Sequence, residues 1–129
     1  MENTKINIEN IKSRIEIVNK IIEKIASLDR KFFEHNGRVA HIFNANEILF
    51  MRSEYDLIDI NITNIDYRPY EFNSGGTIWG LTKDFRDFIL SGEKSNGENG
   101  YGGLYCSHWG YRTESMKAIQ KFAESLGYL

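Results

Sequence analysis

The sequence predicts an α+β fold over residues 1–129, read as a single domain. Its parts are a long N-terminal helix, an antiparallel β-sheet of about four or five strands, a short helix near 83–91 and a C-terminal helix near 114–126. Three observations carry this. Apolar residues recur in steps of three and four through 7–34. After Gly37 the period drops to two. Nine of the 11 glycines and both tryptophans then fall within 75–111, where backbone must turn tightly or approach something closely.

The N-terminal stripe is Ile8, Ile11, Ile15, Val18, Ile22, Ile25 and Phe32, with Lys12, Glu16, Lys20 and Glu23 opposite. Asn7 suits a helix start, and Asn36-Gly37 suits a C-terminal stop. A spacing near 3.5 residues fits first a helix lying on its own sheet, and after that a coiled-coil seam. Ile17 and Ile21 widen the stripe, so one helix could do both. Self-association as a homo-dimer or higher oligomer through 7–34 is therefore expected.

Residues 38–43, 47–52 and 56–62 alternate as strands, with links short enough for hairpins and hence an antiparallel meander. In the third, Ile58, Ile60 and Ile62 face one way and Asp59 and Asn61 the other, so one side of the sheet is wet or an interface. A fourth strand is expected over 67–72, at an edge because Pro69 cannot donate to a ladder. Ser74-Gly75-Gly76 reads as a turn and Thr77-Ile78-Trp79 as a last short strand. Thr82 is placed to cap the helix over 83–91, which buries Phe85, Phe88 and Ile89 and ends at Gly92. The loop 92–103 is long for so small a fold, and Leu104-Tyr105-Cys106 is expected to rejoin the sheet. Thr113 is then the expected cap of the last helix, whose buried stripe is Met116, Ile119, Phe122, Ala123 and Leu126.

Composition narrows the function. With 41% apolar and 26% charged residues the chain is an ordinary globular one. A net charge of −2 argues against non-specific nucleic-acid binding. One cysteine, Cys106, cannot make an internal disulfide, and no apolar leader follows the first residues, which points to a reducing cytoplasm. No apolar run approaches the roughly 18 residues of a membrane span. The wealth of Ile, Asn, Lys and Glu beside a single proline suggests an AT-rich genome, that of a low-GC bacterium or its phage.

The sharpest chemical signal is Ser107-His108-Trp109-Gly110-Tyr111-Arg112-Thr113, which leads into a helix start. Free amides and the helix dipole favour an anion there, with Arg112 and His108 as charge-assisted donors. Tyr105, Trp109 and Tyr111 offer faces for a base, though Trp109 and Tyr105 could equally be core. Gly97-Glu98-Asn99-Gly100-Tyr101-Gly102-Gly103 is neither a Walker loop nor a dinucleotide fingerprint, and reads as a lid or a plain hairpin loop. Trp79 and Arg86 are placed to reach the same pocket, as are Arg38, Arg52 and Arg68 if they share its face. The expected ligand-binding set is Trp79, Arg86, Tyr101, Tyr105, His108, Trp109, Tyr111, Arg112 and Thr113.

Enzyme signals are thinner. Cys106 and His108 would share one side of a strand and could form a nucleophile pair, but cysteine is more often a small buried hydrophobe. His35, His41 and His108 lack zinc spacing. No catalytic set, cofactor or metal is expected.

Compact size, AT-rich bias, the missing catalytic set and the glycine-rich aromatic pocket elements together resemble the small phage proteins that counter bacterial immunity. Nucleotide-sequestering sponges, such as the Thoeris anti-defence proteins, are the nearest in kind. That resemblance implies oligomers with pockets near interfaces and non-enzymatic sequestration of a cyclic signalling nucleotide in the host cytoplasm. The alternatives are an inhibitor that binds a host protein directly, in the manner of an anti-CRISPR, and a small Cys/His-dependent hydrolase or transferase.

Overall fold

The structure, a computed structural model, describes residues 2–54, 58–63, 76–95, 103–106 and 109–129. Helix α1 (Glu2–Ala26) is followed by a two-stranded ribbon, β1 (Glu34–His35) and β2 (Arg38–Val39). A three-stranded meander comes next: β3 (His41–Ala45), β4 (Ile48–Arg52) and β5 (Asp59–Asn61). Helix α2 (Gly76–Ser91), one 3-10 turn (Gly103–Tyr105) and helix α3 (Thr113–Ser125) complete the described elements. The α+β class is as expected. The expected strand over 67–72 lies outside the described residues.

Helix α1 lies against α2, α3 and the meander. Val18, Ile21, Ile22 and Ile25 are wholly buried within the chain, so this part of the stripe is spent on its own core. The helix ends at Ala26 and not near 34, because the chain enters turns with positive φ at Asp29 (39°), Lys31 (51°) and Phe33 (69°). Phe32 therefore reaches the core from a loop. Asn36-Gly37 is a hairpin turn rather than a helix stop. His35 pairs with Arg38 across it, and φ is 50° at Asn36 and 81° at Gly37. Positive φ at both central positions marks the tight turn whose twist matches a hairpin. The next hairpin turns the same way on Asn46 and Glu47, between the paired Ala45 and Ile48.

The meander is antiparallel in the order β3-β4-β5, with Phe43 opposite Phe50 and Met51 opposite Ile60. Ile42, Leu49, Met51, Ile60 and Ile62 fill the inner face. Ile58 does not join them; it precedes β5 and is 54% exposed. Asn19 of α1 ties the helix to the β3 edge: its amide accepts from Ile42 N–H at 2.8 Å and donates to Ile42 C=O at 2.9 Å. An edge strand's unpaired backbone groups are thereby satisfied by a side chain.

Helix α2 differs most from expectation. Thr77, Ile78 and Trp79 are its first turn, not a strand, and Thr82 sits inside it, buried, donating to Ile78 C=O at 2.8 Å. Ile78, Trp79, Leu81, Phe85, Phe88 and Ile89 are all buried, so α2 is wrapped on most sides and local β-propensity yields to that burial. Its C-terminus is closed by Gly92, whose N–H donates to Phe88 C=O at 2.8 Å with φ at 77°. A Cβ on Gly92 would land on the Arg14 guanidinium, which itself donates to Ile89 C=O at 2.9 Å. That cation sits at the negative end of the helix dipole. Residues 104 and 105 belong to the 3-10 turn and do not rejoin the sheet. At the C-terminus Tyr128 is fully buried, its ring edge-on to Phe85 and Phe88.

Candidate functional site

The start of α3 is where the sequence expects an anion, and the structure puts one there from the chain itself. Asp29 Oδ2 accepts from Arg112 N–H at 2.5 Å, and its Oδ1 accepts from Ser115 Oγ at 2.8 Å. The Arg112 guanidinium completes the group at 3.2 Å. Arg112, rather than Thr113, is the N-cap residue, and no side chain of its own caps the helix. Burial pushes the Asp29 carboxyl up, but the hydrogen bonds from Arg112 N–H, Ser115 and the Arg112 guanidinium outweigh it and hold the group below its ordinary value. The Arg112 amide and guanidinium are thus engaged by Asp29 before any ligand arrives.

Trp109 is 1% exposed, tilted against Phe32 and edge-on to Tyr111 at 5.3 Å, so it is core and offers no open face. Tyr111 is partly buried. Its hydroxyl accepts from Phe32 N–H and donates to Ile25 C=O, each at 2.9 Å, which splices the loop after α1 to the start of α3. Burial, chiefly, drives its pKa up to about 12.

Beside this anchor lies an open groove of about 240 Å³ lined by Tyr105, Cys106, Tyr111, Thr113, Met116, Lys117 and Gln120. It follows one side of α3, because 113, 116, 117 and 120 fall at the i, i+3, i+4, i+7 spacing that shares a helix face. The 3-10 turn forms the other wall, held there by Gln120 Nε2 donating to Leu104 C=O at 2.8 Å. Tyr105 is 54% exposed and lines the groove. Lys117 is exposed and has no ion-pair partner among the described residues. Cys106 lines the groove at 2% exposure. It follows a 3-10 turn, and its expected partner His108 lies outside the described residues.

Three expected residues, Tyr105, Tyr111 and Thr113, thus meet in one groove. Trp79 and Arg86 are buried in α2, while Tyr101, His108 and Arg68 lie outside the described residues. Arg38 donates to Glu54 C=O at 3.3 Å, and Arg52 holds Asp59 at 2.7 Å on the outer sheet face; neither lines the groove. Sequence reasoning missed Lys117 and Gln120, which look like solvated helix surface, and Asp29, which is 83 residues from Arg112. Among the described residues no three His, Cys, Asp or Glu side chains gather as a metal site, and no helix is long and apolar enough to cross a membrane.

Fold and groove define a small α+β protein with a shallow recess of about 240 Å³ beside its last helix. The chain belongs to the YoqU family, whose model matches residues 7–129. It is 30% identical over 126 residues to the SPbeta prophage-derived protein YoqU of Bacillus subtilis (strain 168), covering 95% of this chain and 87% of that one. The family is therefore a phage-associated one. No solved structure matches the chain.

Proposed function

We propose that this protein is a non-enzymatic binder that sequesters a small anionic, nucleotide-like ligand, a cyclic signalling nucleotide by class, and so blunts a host defence pathway. The observation that carries the reading is the groove lined by the exposed Tyr105 together with Thr113 and Lys117. A base stacks on Tyr105, worth about 1–3 kcal/mol, and a phosphate takes Lys117 and Thr113. The phosphate does not use the Arg112 amide, which Asp29 holds. At about 240 Å³ the groove is smaller than the roughly 300–1,000 Å³ of drug-sized sites, so it takes one base and its phosphate at a time. Membership of a phage-associated family fits a protein that acts on its host's signals.

A thermal-shift panel of linear and cyclic nucleotides tests this. A ligand at about 100 times its dissociation constant adds roughly 2.7 kcal/mol, and Tyr105→Ala and Lys117→Ala should each remove the shift. Silence across the whole panel would sink the reading, and ligand recovered chemically altered would turn it toward catalysis. Self-association, if α1 supplies it, runs through the partly exposed Ile11, Ile15 and Ile17. A strictly monomeric mass in light scattering would remove it.

A second reading has its own observation. On the outer sheet face Phe43 and Phe50 stack at 5.5 Å, with the Arg52 guanidinium 5.2 Å over Phe43. Aromatics beside arginine are the residues that carry protein–protein contacts. Capture of a host protein that survives Tyr105→Ala and fails with Phe50→Ser would favour direct inhibition.

A further inference from the structure

We propose that Arg86 anchors a second binding site, for a small oxyanion of the phosphate type, in the interior beside α2. Arg86 is 4% exposed. Its Nε and Nη2 both donate to a single oxygen, Asp87 Oδ1, at 3.0 and 2.7 Å. Nη1 is buried with no hydrogen-bond partner among the described residues. A guanidinium carries five N–H donors and does not lose its proton, so it cannot escape burial by becoming neutral. An unmade hydrogen bond on a buried charge is among the costlier defects a fold can carry, and proteins keep few of them.

The other described arginines show how unusual this is. Arg14 and Arg30 donate to the carbonyls of Ile89 and Trp109, while Arg52 and Arg112 hold carboxylates. Nor is Asp84 the missing partner, since its Oδ2 accepts from Tyr128 and Ser95. Asp87 meets the guanidinium on the Nε side, leaving the Nη1 end of the fork. That end matches a ligand offering two oxygens, as phosphates and carboxylates do. Lys83, one turn earlier and partly exposed, adds a second cation on the same helix. An arriving oxyanion takes the N–H that the fold leaves unmade and partly neutralises a charge that the fold has already desolvated.

The site does not rest on the groove, and one experiment separates them. Thermal unfolding of the full chain is followed against potassium phosphate, with potassium chloride at equal ionic strength as control, and in parallel against AMP. Phosphate should raise Tm along a saturating curve in wild type and in Tyr105→Ala, and not in Arg86→Met. An AMP response that persists in Tyr105→Ala and is lost in Arg86→Met extends the site to a phosphomonoester, one lost in Tyr105→Ala belongs to the groove, and silence toward phosphate overturns the site. A rise that never saturates, or one equal in wild type and Arg86→Met, is the general salting effect and overturns the proposal. Should Arg86→Met fail to fold, the wild-type chain decides. In a 15N-labelled sample phosphate must shift the Arg86 Nε–Hε resonance, and an unmoved resonance overturns the site.

Discussion

Asp84 and Arg86 stand two residues apart on the same helix, both charged and both 4% exposed, yet the chain treats them differently. Asp84 accepts from the Tyr128 hydroxyl and, at 2.5 Å, from Ser95 Oγ, so helix α2, the segment after it and the C-terminus are pinned together. Arg86 reaches one oxygen of its sequence neighbour and leaves Nη1 without a partner among the described residues. Burial by itself does not tell a structural charge from a functional one; the tally of hydrogen bonds does. A satisfied buried charge holds a fold, whereas an unsatisfied one weakens it and persists for some other reason.

The contrast can be broken by mutation. Asp84→Ala should cost most, about 3–5 kcal/mol in urea unfolding, since it strands two hydroxyls that donate to a carboxylate. A loss below about 1 kcal/mol would mean that water serves those hydroxyls equally well. Tyr128→Phe removes one of the donors and keeps the ring against Phe85 and Phe88, so about 1.5–3 kcal/mol is expected. Arg86→Met, in the absence of any ligand, should fall within about 1 kcal/mol of wild type or exceed it, because an unsatisfied charge is exchanged for an apolar chain of similar reach. Were Arg86→Met as damaging as Asp84→Ala, the two residues would be alike and the contrast would fail. Tyr105→Ala, at the exposed end, should change stability by no more than about 0.5 kcal/mol while removing ligand binding.

Titration sharpens the same point. Burial above all, then the charge of Asp84, raises the Tyr128 pKa well above the ordinary 10.0. With the folded value above the unfolded one, its stabilising contribution is complete below pH 10.0 and is lost as pH climbs through the folded value. Tyr111 follows the same sign, its contribution fading between pH 10.0 and about 12. Asp29 has the opposite sign. Its folded pKa is held below 3.8, so its contribution is present above that pH and disappears as pH falls through the folded value. Urea midpoints measured across pH should show both flanks, and Tyr128→Phe should flatten the alkaline one.

Much of the fold was legible because period and burial agree. Val18, Ile22 and Ile25 keep helical spacing and are buried, and the alternation of residues 38–62 gave the meander and its wet face. What escaped did so for physical reasons. Asn-Gly serves a helix stop and a tight hairpin equally, since both ask for positive φ, and only the pairing of His35 with Arg38 decides between them. Thr77, Ile78 and Trp79 favour strand locally, and the burial around α2 overrides them. At the candidate site, aromatics next to a helix start were visible, but not that Asp29 takes the Arg112 amide there. Lys117 reads as ordinary helix surface in the sequence, and only the docking of the 3-10 turn on α3 makes it one wall of a groove.

The Asn19 amide has a consequence for how the chain finds its sheet. Because it both gives to and takes from Ile42, it fits one residue of β3 in one orientation. Sliding the β3–β4 hairpin by a single residue would turn Ile42 outward and the neighbouring side chains inward. Asn19, half-buried, would then face a strand that no longer answers it. The helix thus acts as a proofreader of strand alignment: a misaligned hairpin can form, but α1 will not close over it.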